Sequence, residues 1–377
     1  MKKERNYSLD LLRIISMLMI LTLHYLGKGN ALTIQSNMKY VVWFMEIACM
    51  ISVNLYVLIS GYFLIDSKFK IKKFIKLWIE VLFYSITMFI VAIISCKGMP
   101  SYGIGATFLP ISIKVYWFIT VYLLMYLLSP YLNILIKGMN QKSHALLIAI
   151  NVFIFSVMVL ILPEGASLDA TNGYGIIWFI ILYLVAAYIR KYLDNFKPKK
   201  IYLILIYIFI TLICMLSKTI GSNVFSNSIE ILTRIDRIYQ YNSVLIFISS
   251  LCVFFIFKGL NINGKNISKF IGVVASCTFA VYLIHENVYM RETLYKGIFN
   301  SLKYAESGIL YFILDYIFFT ISVFTSCVII DLVRQKLFKF ISSTKLFIKI
   351  EKIFDIIVKK VDNLFERVLI RNEKDNI

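Results

Sequence analysis

The sequence predicts an all-α, polytopic integral membrane protein of about ten transmembrane helices, followed by a C-terminal amphipathic basic helix. Three observations lead there. Of the 377 residues 60% are hydrophobic and only 16% charged, and the mean hydropathy is +0.79. No soluble domain of this length has that balance. The apolar residues fall into ten runs long enough to span a bilayer, roughly 8–28, 41–65, 74–95, 112–136, 145–162, 174–189, 201–217, 241–257, 270–289 and 308–333. Finally, the net charge of +19 is concentrated in short Lys/Arg clusters between those runs. Clusters of that kind set membrane topology and are not a nucleic-acid surface.

The first run, Ser8–Lys28, carries two groups that a plain span avoids, Arg13 and His24. Eleven helical steps of roughly 100° return His24 to within about 20° of Arg13, roughly 16 Å further along the axis. One face therefore presents a cation near the inner end and an imidazole well above it. Ionisable groups inside a membrane are costly and face interior cavities or functional sites. Headgroup snorkelling for Arg13 and an outer-boundary hydrogen bond for His24 are the bland alternatives, and the shared face weighs against both holding at once. The run is too long and too polar for a cleaved signal peptide, and no A-x-A site follows it.

Basic residues follow alternate runs. Lys2, Lys3 and Arg5 precede the first, and Lys68, Lys70, Lys72, Lys73 and Lys76 follow the second. Lys137 and Lys142 follow the fourth, and the stretch from Arg190 to Lys200 follows the sixth. Lys258, Lys265 and Lys269 follow the eighth. These segments hold 18 Lys and Arg against about ten in the opposite loops, so both termini are expected in the cytoplasm and the chain in the plasma membrane. Residues 1–335 are expected to form one membrane domain. Residues 336–377 mix apolar and basic positions at helical spacing and are expected to lie as a cytoplasmic tail on the anionic inner leaflet, making membrane lipids a partner. The six cysteines, Cys49, Cys96, Cys214, Cys252, Cys277 and Cys327, lack C-x-x-C spacing and read as core residues, with no metal expected.

At about 1.5 Å per helical residue, His24 lies about 24 Å above Ser8. Glu46, His285 and Glu286 fall in the same outer layer. Two histidines and two carboxylates there have the composition of a general base with its orienting acid, although water-facing interface groups explain them as well. At the inner end, Arg13 with Lys73 and Lys76 would form a cationic mouth for a phosphorylated ligand, or simple positive-inside anchors. Ser60–Gly61 permits close approach of another helix or of a ligand. Trp117, with Tyr116 and Phe118, suits either the aromatic belt or a carbohydrate platform. The outer loop 218–240 offers Arg234 and Arg237 to an acceptor, or is a solvated loop, and Asp315 is ambiguous. No G-x-G-x-x-G, Walker loop, G-x-S-x-G elbow, H-E-x-x-H or H-x-x-x-x-D pair occurs in a fitting context, which argues against soluble nucleotide and acyl-hydrolase chemistry.

These residues resemble the membrane acyltransferase-3 family. Arg13 and His24 match its R-x10-H signature. NLYVLISGYF resembles its F-F-x-x-S-G element, with Tyr56 and Val57 in place of the aromatic pair. KKFIK resembles its basic R-x-x-R entry, with lysines for both arginines. TFAVYLIHENVYMRE contains its Y-L-I-H run, VYWFITVYLLMYLLSPYL resembles another later segment, and YNSVLIFISSLCVFFIFK is similar to the eighth span of Gram-positive members. The resemblance implies transfer of an acyl group, usually acetyl from acetyl-CoA, to a hydroxyl of a surface polysaccharide or lipid-linked oligosaccharide. His24 would be catalytic, as a general base for the sugar hydroxyl or through an acyl-His intermediate, and Arg13 would serve the donor. Glu46 and His285 would join the catalytic group, Lys73, Lys76, Ser60 and Gly61 the donor site, and Trp117, Arg234, Arg237 and Glu286 the acceptor site. Lysine binds phosphate as a point charge and not as a bidentate fork, which leaves the roles of Lys73 and Lys76 open. No SGNH-type domain is fused to the spans in this sequence, so delivery would fall to this chain alone or to a separate partner. A flippase of a glycan intermediate is the competing reading, and would be expected to show inverted repeats and paired broken helices. A non-acylating membrane module of the same fold is a third.

Overall fold

The computed structural model describes residues 5–95, 103–162 and 171–374; Lys2, Lys3 and Cys96 lie outside them. The described chain is helical, with no strand. Its elements are α1 (Tyr7–Lys28), α2 (Met38–Cys49), α3 (Ser52–Leu64), α4 (Ile71–Ile94), α5 (Gly103–Phe108), α6 (Trp117–Gly138) and α7 (Gln141–Ile161). After these come α8 (Ile176–Tyr192), α9 (Lys200–Val224), α10 (Ile229–Arg237), α11 (Val244–Lys258), α12 (Lys265–His285), α13 (Ser301–Glu306), α14 (Ile309–Ser342) and α15 (Lys345–Lys374).

Each of the ten apolar runs has a helical counterpart. Eight segments among the described residues are long and apolar enough to cross a membrane, counting α2 and α3 as one interrupted segment. The sixth and eighth runs form shorter helices, α8 of 17 residues and α11 of 15. The second run breaks at Met50–Ile51 between α2 and α3, and the last span continues to Ser342 before the chain bends into α15.

Burial separates the centre from the rim. In α1 and α12, 67% of the apolar window is buried within the protein, against 28% for α9 and 22% for α14. The outer faces of α9 and α14 leave Phe209 and Phe318 about two-thirds exposed, at 64% and 65%, as lipid-facing positions should be. α1 contributes to both apolar cores. With α4, α12 and α14 it packs Leu21, Tyr25, Tyr84 and Phe319, and with α3, α6, α8 and α11 it packs Leu9, Leu12, Phe179 and Phe254.

Two features hold α3 in place. A Cβ on Gly61 would stand 2.9 Å from Ala186 Cβ and 3.1 Å from Tyr183 Cα, so the glycine lets α8 approach backbone to backbone. Near the start of α3, fully buried Asn54 accepts from Trp178 Nε1 at 3.0 Å. It donates to Tyr241 O at 2.9 Å and Ser250 Oγ at 3.2 Å, joining α3, α8 and α11 at one amide. Buried polar groups need such partners in a medium that supplies no water.

α1 and α12 run parallel. Arg5 donates to Gly272 O at one end of the pair, and His24 meets His285 at the other. α14 runs against them, with Asp315 accepting from Tyr25 Oη and Gln335 reaching Cys277 Sγ. Buried Asp331 accepts from Tyr84 Oη at 2.7 Å and Arg334 Nε at 2.6 Å, while Arg334 Nη2 pairs with Glu80 at 2.8 Å, fastening α14 to α4. The start of α1, the start of α4 and α15 therefore share one end of the bundle. There Lys72 pairs with Glu351 and Asp355 of α15, and Asp362 accepts from the Ile71 backbone N–H at the first turn of α4. Apolar residues of α15, among them Ile350, Ile353, Ile356 and Ile357, remain exposed.

Candidate functional site

His24 stands on the penultimate turn of α1, its side chain 20% exposed, and meets the C-terminal end of α12. That end is locked from outside. Tyr116 Oη donates to Leu283 O at 3.0 Å and accepts from Asn287 Nδ2 at 2.6 Å, while Asn287 Oδ1 accepts from the Tyr289 N–H. The chain thus turns sharply after His285 and delivers His285 and Glu286, both buried, beside His24.

The hydrogen-bond order sets the proton positions. His285 Nδ1 lies 2.5 Å from Val281 O, a pure acceptor, so Nδ1 of His285 carries hydrogen. In neutral His285 the other nitrogen, Nε2, is then an acceptor, and it lies 2.9 Å from His24 Nδ1. His24 Nδ1 must donate, which leaves His24 Nε2 with a lone pair that no described residue engages. Glu286 Oε2, 3.3 Å from the same Nδ1, reinforces that tautomer without being aligned for a hydrogen bond of its own. The other carboxylate oxygen is held by Lys28 at 3.0 Å and Arg291 at 3.3 Å. Tyr282 packs beside both imidazoles, with ring centroids 6.5 Å from His24 and 6.0 Å from His285. The assembly is a base with an oriented lone pair, a relay that fixes it, and a carboxylate that offsets positive charge on protonation.

Arg13 lies near the opposite end of α1. Its Nη1 donates to Asp10 Oδ1 at 2.9 Å, its guanidinium stands 5.8 Å from the centre of the Phe63 ring, and the side chain is 32% exposed. Asp10 is the only ion-pair or hydrogen-bond partner of the guanidinium among the described residues, so most of the guanidinium fork is open to a ligand. The α3 motif is built around this residue. Tyr56 Oη donates to Arg13 O at 3.0 Å, and Ser60 Oγ returns to Tyr56 O.

The remaining candidates distribute unevenly. Lys73 and Lys76 are exposed on α4 and make no ion pair among the described residues. Gly61 faces α8. Glu46 is partly buried, with Oε2 shielded and unpartnered. It lies within electrostatic reach of Tyr174, Tyr239 and Tyr241 and makes no hydrogen bond or ion pair with His24 among the described residues. Trp117 belongs to the same aromatic group, 4.5 Å from Tyr174 and 6.1 Å from Tyr241 between ring centroids. Arg237 is buried and donates to Val159 O and Leu162 O. Arg234 pairs with Glu230 and reaches Ile161 O. Both arginines tie α10 to the end of α7, and the structure does not bring them to His24. Of the two candidate carboxylates, Glu286 is the one beside His24.

Sequence reasoning passed over Lys28, Asp10 and Arg291. The first two carry a local signal, since Lys28 is four residues from His24 and Asp10 three from Arg13, helical neighbours in each case. Arg291 lies beyond the helix end, where no periodicity applies.

Neither a curated protein nor a solved structure matches the chain. The acyltransferase-domain family model matches residues 6–332, from the Asn6 cap of α1 to within α14. That range holds Arg13, the α3 motif and the His24–His285–Glu286 group in the order in which the fold assembles them. The chain belongs to the acyltransferase-3 family, as a polytopic helical membrane acyltransferase.

Proposed function

We propose that the protein is an O-acyltransferase that moves an acyl group, acetyl in the first instance, from cytosolic acyl-CoA to a hydroxyl of a surface or exported polysaccharide. The observation that carries this reading is the Val281–His285–His24 relay, which leaves His24 Nε2 free as a general base. In the proposed reaction the acceptor O–H proton passes to His24 Nε2 as the oxygen attacks the thioester carbonyl carbon. The carbonyl electron pair moves to oxygen. When the tetrahedral species collapses the C–S bond breaks, and the sulfur takes the proton back from His24 Nε2. While His24 is charged, its Nδ1–H still points to His285 Nε2, and Glu286 lies 3.3 Å away. Its hydrogen bond is then charge-assisted and stronger than in the resting state, as differential stabilisation of a transition state requires.

Arg13, with open N–H groups about 16 Å down the helix, is proposed to hold a phosphate of the donor, with Lys73, Lys76 and Ser60 nearer the basic end. Trp117 and the Tyr174–Tyr241 group are proposed as the carbohydrate-facing wall, with Glu46 behind them. Residues 1–335 would be the catalytic membrane domain, in the plasma membrane with both termini cytoplasmic. The tail would lie on the inner leaflet through the exposed apolar residues of α15. The test is alkali-labile acetate on surface glycan, quantified in cells producing the wild type or His24→Ala. Acetate present only with the wild type supports the reading; equal acetate with both refutes it.

A further inference from the structure

A cleft of about 1060 Å³ opens at the basic end of the bundle, between the start of α1 and the start of α12, remote from His24. Its chemistry is one-sided. Arg5, Lys265, Lys269, Ser268 and Asn263 line it, and no acidic residue does among the described residues. Lys265 and Lys269 are one helical turn apart, exposed, and make no ion pair among the described residues. The first turn of α12 also faces the cleft. Gly264 enters it at φ 142° and supplies no side-chain cap, so among the described residues the leading N–H groups of this 21-residue helix are left open to an anion. A second feature points to a ligand independently. Ser268 is only 9% exposed, lines the cleft, and its hydroxyl has no hydrogen-bond partner among the described residues.

The walls are fixed. Ser8 Oγ donates to Leu260 O, Arg5 Nη2 donates to Gly272 O at 2.8 Å, and Arg5 Nε pairs with Asp10. Asp10 pairs through its other oxygen with Arg13, so one carboxylate connects the cleft wall to the arginine inside the span. A Cβ on Gly272 would approach Arg5 Cζ to 3.2 Å, so the glycine lets the guanidinium lie flat against α12.

We propose that this cleft is a phosphate-binding site, taking a phosphomonoester or diphosphate between Lys265, Lys269, the Ser268 hydroxyl and the α12 N-terminus. Two sources carry that chemistry, a soluble phosphorylated ligand and an anionic lipid headgroup. The site stands apart from acyl transfer: its assay reads binding alone, so failure of one reading leaves the other intact.

The test uses the full chain in nanodiscs and compares wild type, Lys265→Gln/Lys269→Gln, and the charge-matched control Lys197→Gln/Lys199→Gln at the same end of the bundle. Inorganic pyrophosphate is titrated by calorimetry in phosphatidylcholine discs, and thermal melting is compared between phosphatidylcholine and phosphatidylglycerol discs. Loss of two charge-assisted contacts should weaken pyrophosphate binding tenfold or more, in roughly the range such contacts carry, and only in the Lys265/Lys269 variant. That result identifies a soluble ligand. A stabilisation by phosphatidylglycerol that only the Lys265/Lys269 variant loses identifies a headgroup. Unchanged behaviour of that variant in both assays, or equal losses in the control, overturns the proposal.

Discussion

Replacing His285 tests the tautomer relay at its weakest joint. His285 is buried and its Nε2 is the acceptor for His24 Nδ1–H at 2.9 Å. In His285→Leu the acceptor is gone, and His24 can place its proton on Nε2, where it blocks the base. The hydrogen bond also strengthens when His24 is protonated, from about 0.5–1.5 kcal/mol for a neutral pair to about 1.5–3 kcal/mol for a charged one. A difference of about 1–2 kcal/mol corresponds to roughly a 5- to 30-fold fall in kcat, to which the unfavourable tautomer adds. His285→Gln keeps an acceptor oxygen within reach and should recover much of the loss. The assay is initial-rate transfer of labelled acyl groups in membrane vesicles, with detergent melting curves to show that each variant folds. KM for the donor should move little, because His285 lies at the far end of α1 from Arg13. Wild-type kcat in folded His285→Leu, or a Gln variant as impaired as the Leu variant, refutes the relay.

Four further outcomes follow from packing and charge. Asn54→Leu strands the Trp178 N–H and the Tyr241 carbonyl, each buried, and should lower stability by about 2–3 kcal/mol, read as a lower melting temperature. Gly61→Ala should destabilise by about 1–3 kcal/mol through collision with α8, and Ala186→Gly in the same chain should return part of that, since the Cβ contact is removed while the Tyr183 backbone remains. Asp331→Ala leaves Arg334 with Glu80 alone and Tyr84 Oη without its acceptor, and should cost about 3–5 kcal/mol in thermal unfolding. Lys72→Ala should leave the melting temperature nearly unchanged, because its ion pairs with Glu351 and Asp355 are solvent-exposed on the acidic side, but should speed proteolysis of residues 345–374.

Helical arithmetic makes the main axis of the site legible in the sequence. The spacing of Arg13 and His24 fixes a common face, and counting along the first, second and ninth runs places His24, Glu46, His285 and Glu286 in one layer. Periodicity gives face and depth, but not azimuth around the bundle. Depth alone cannot separate Glu46 from Glu286; packing of α12 parallel to α1 sets Glu286 beside His24, while Glu46 lies within electrostatic reach of the tyrosine group. The same gap explains Arg234 and Arg237, which look like free outer cations in the sequence. In the fold they answer open carbonyls where α7 ends, a demand that arises only once α7 and α10 meet. Asn54 reads as one polar residue in an apolar run, and its three partners are 124 or more positions away in the chain. Lengths were blurred for a related reason: an apolar run records what lipid and core tolerate, not where the helix stops. The last span therefore continues past the boundary its hydropathy suggests, to Ser342.

The central claim is that His24 moves the proton and Arg13 holds the donor, and acyl transfer in sealed inverted membrane vesicles tests it most directly. Radiolabelled acetyl-CoA is supplied to wild type, His24→Ala and Arg13→Ala, and alkali-labile label on glycan is counted across donor concentrations. The account predicts label in the wild type, a loss of at least about 100-fold in kcat for His24→Ala, and a raised KM for Arg13→Ala. Equal labelling at every donor concentration in all three contradicts it.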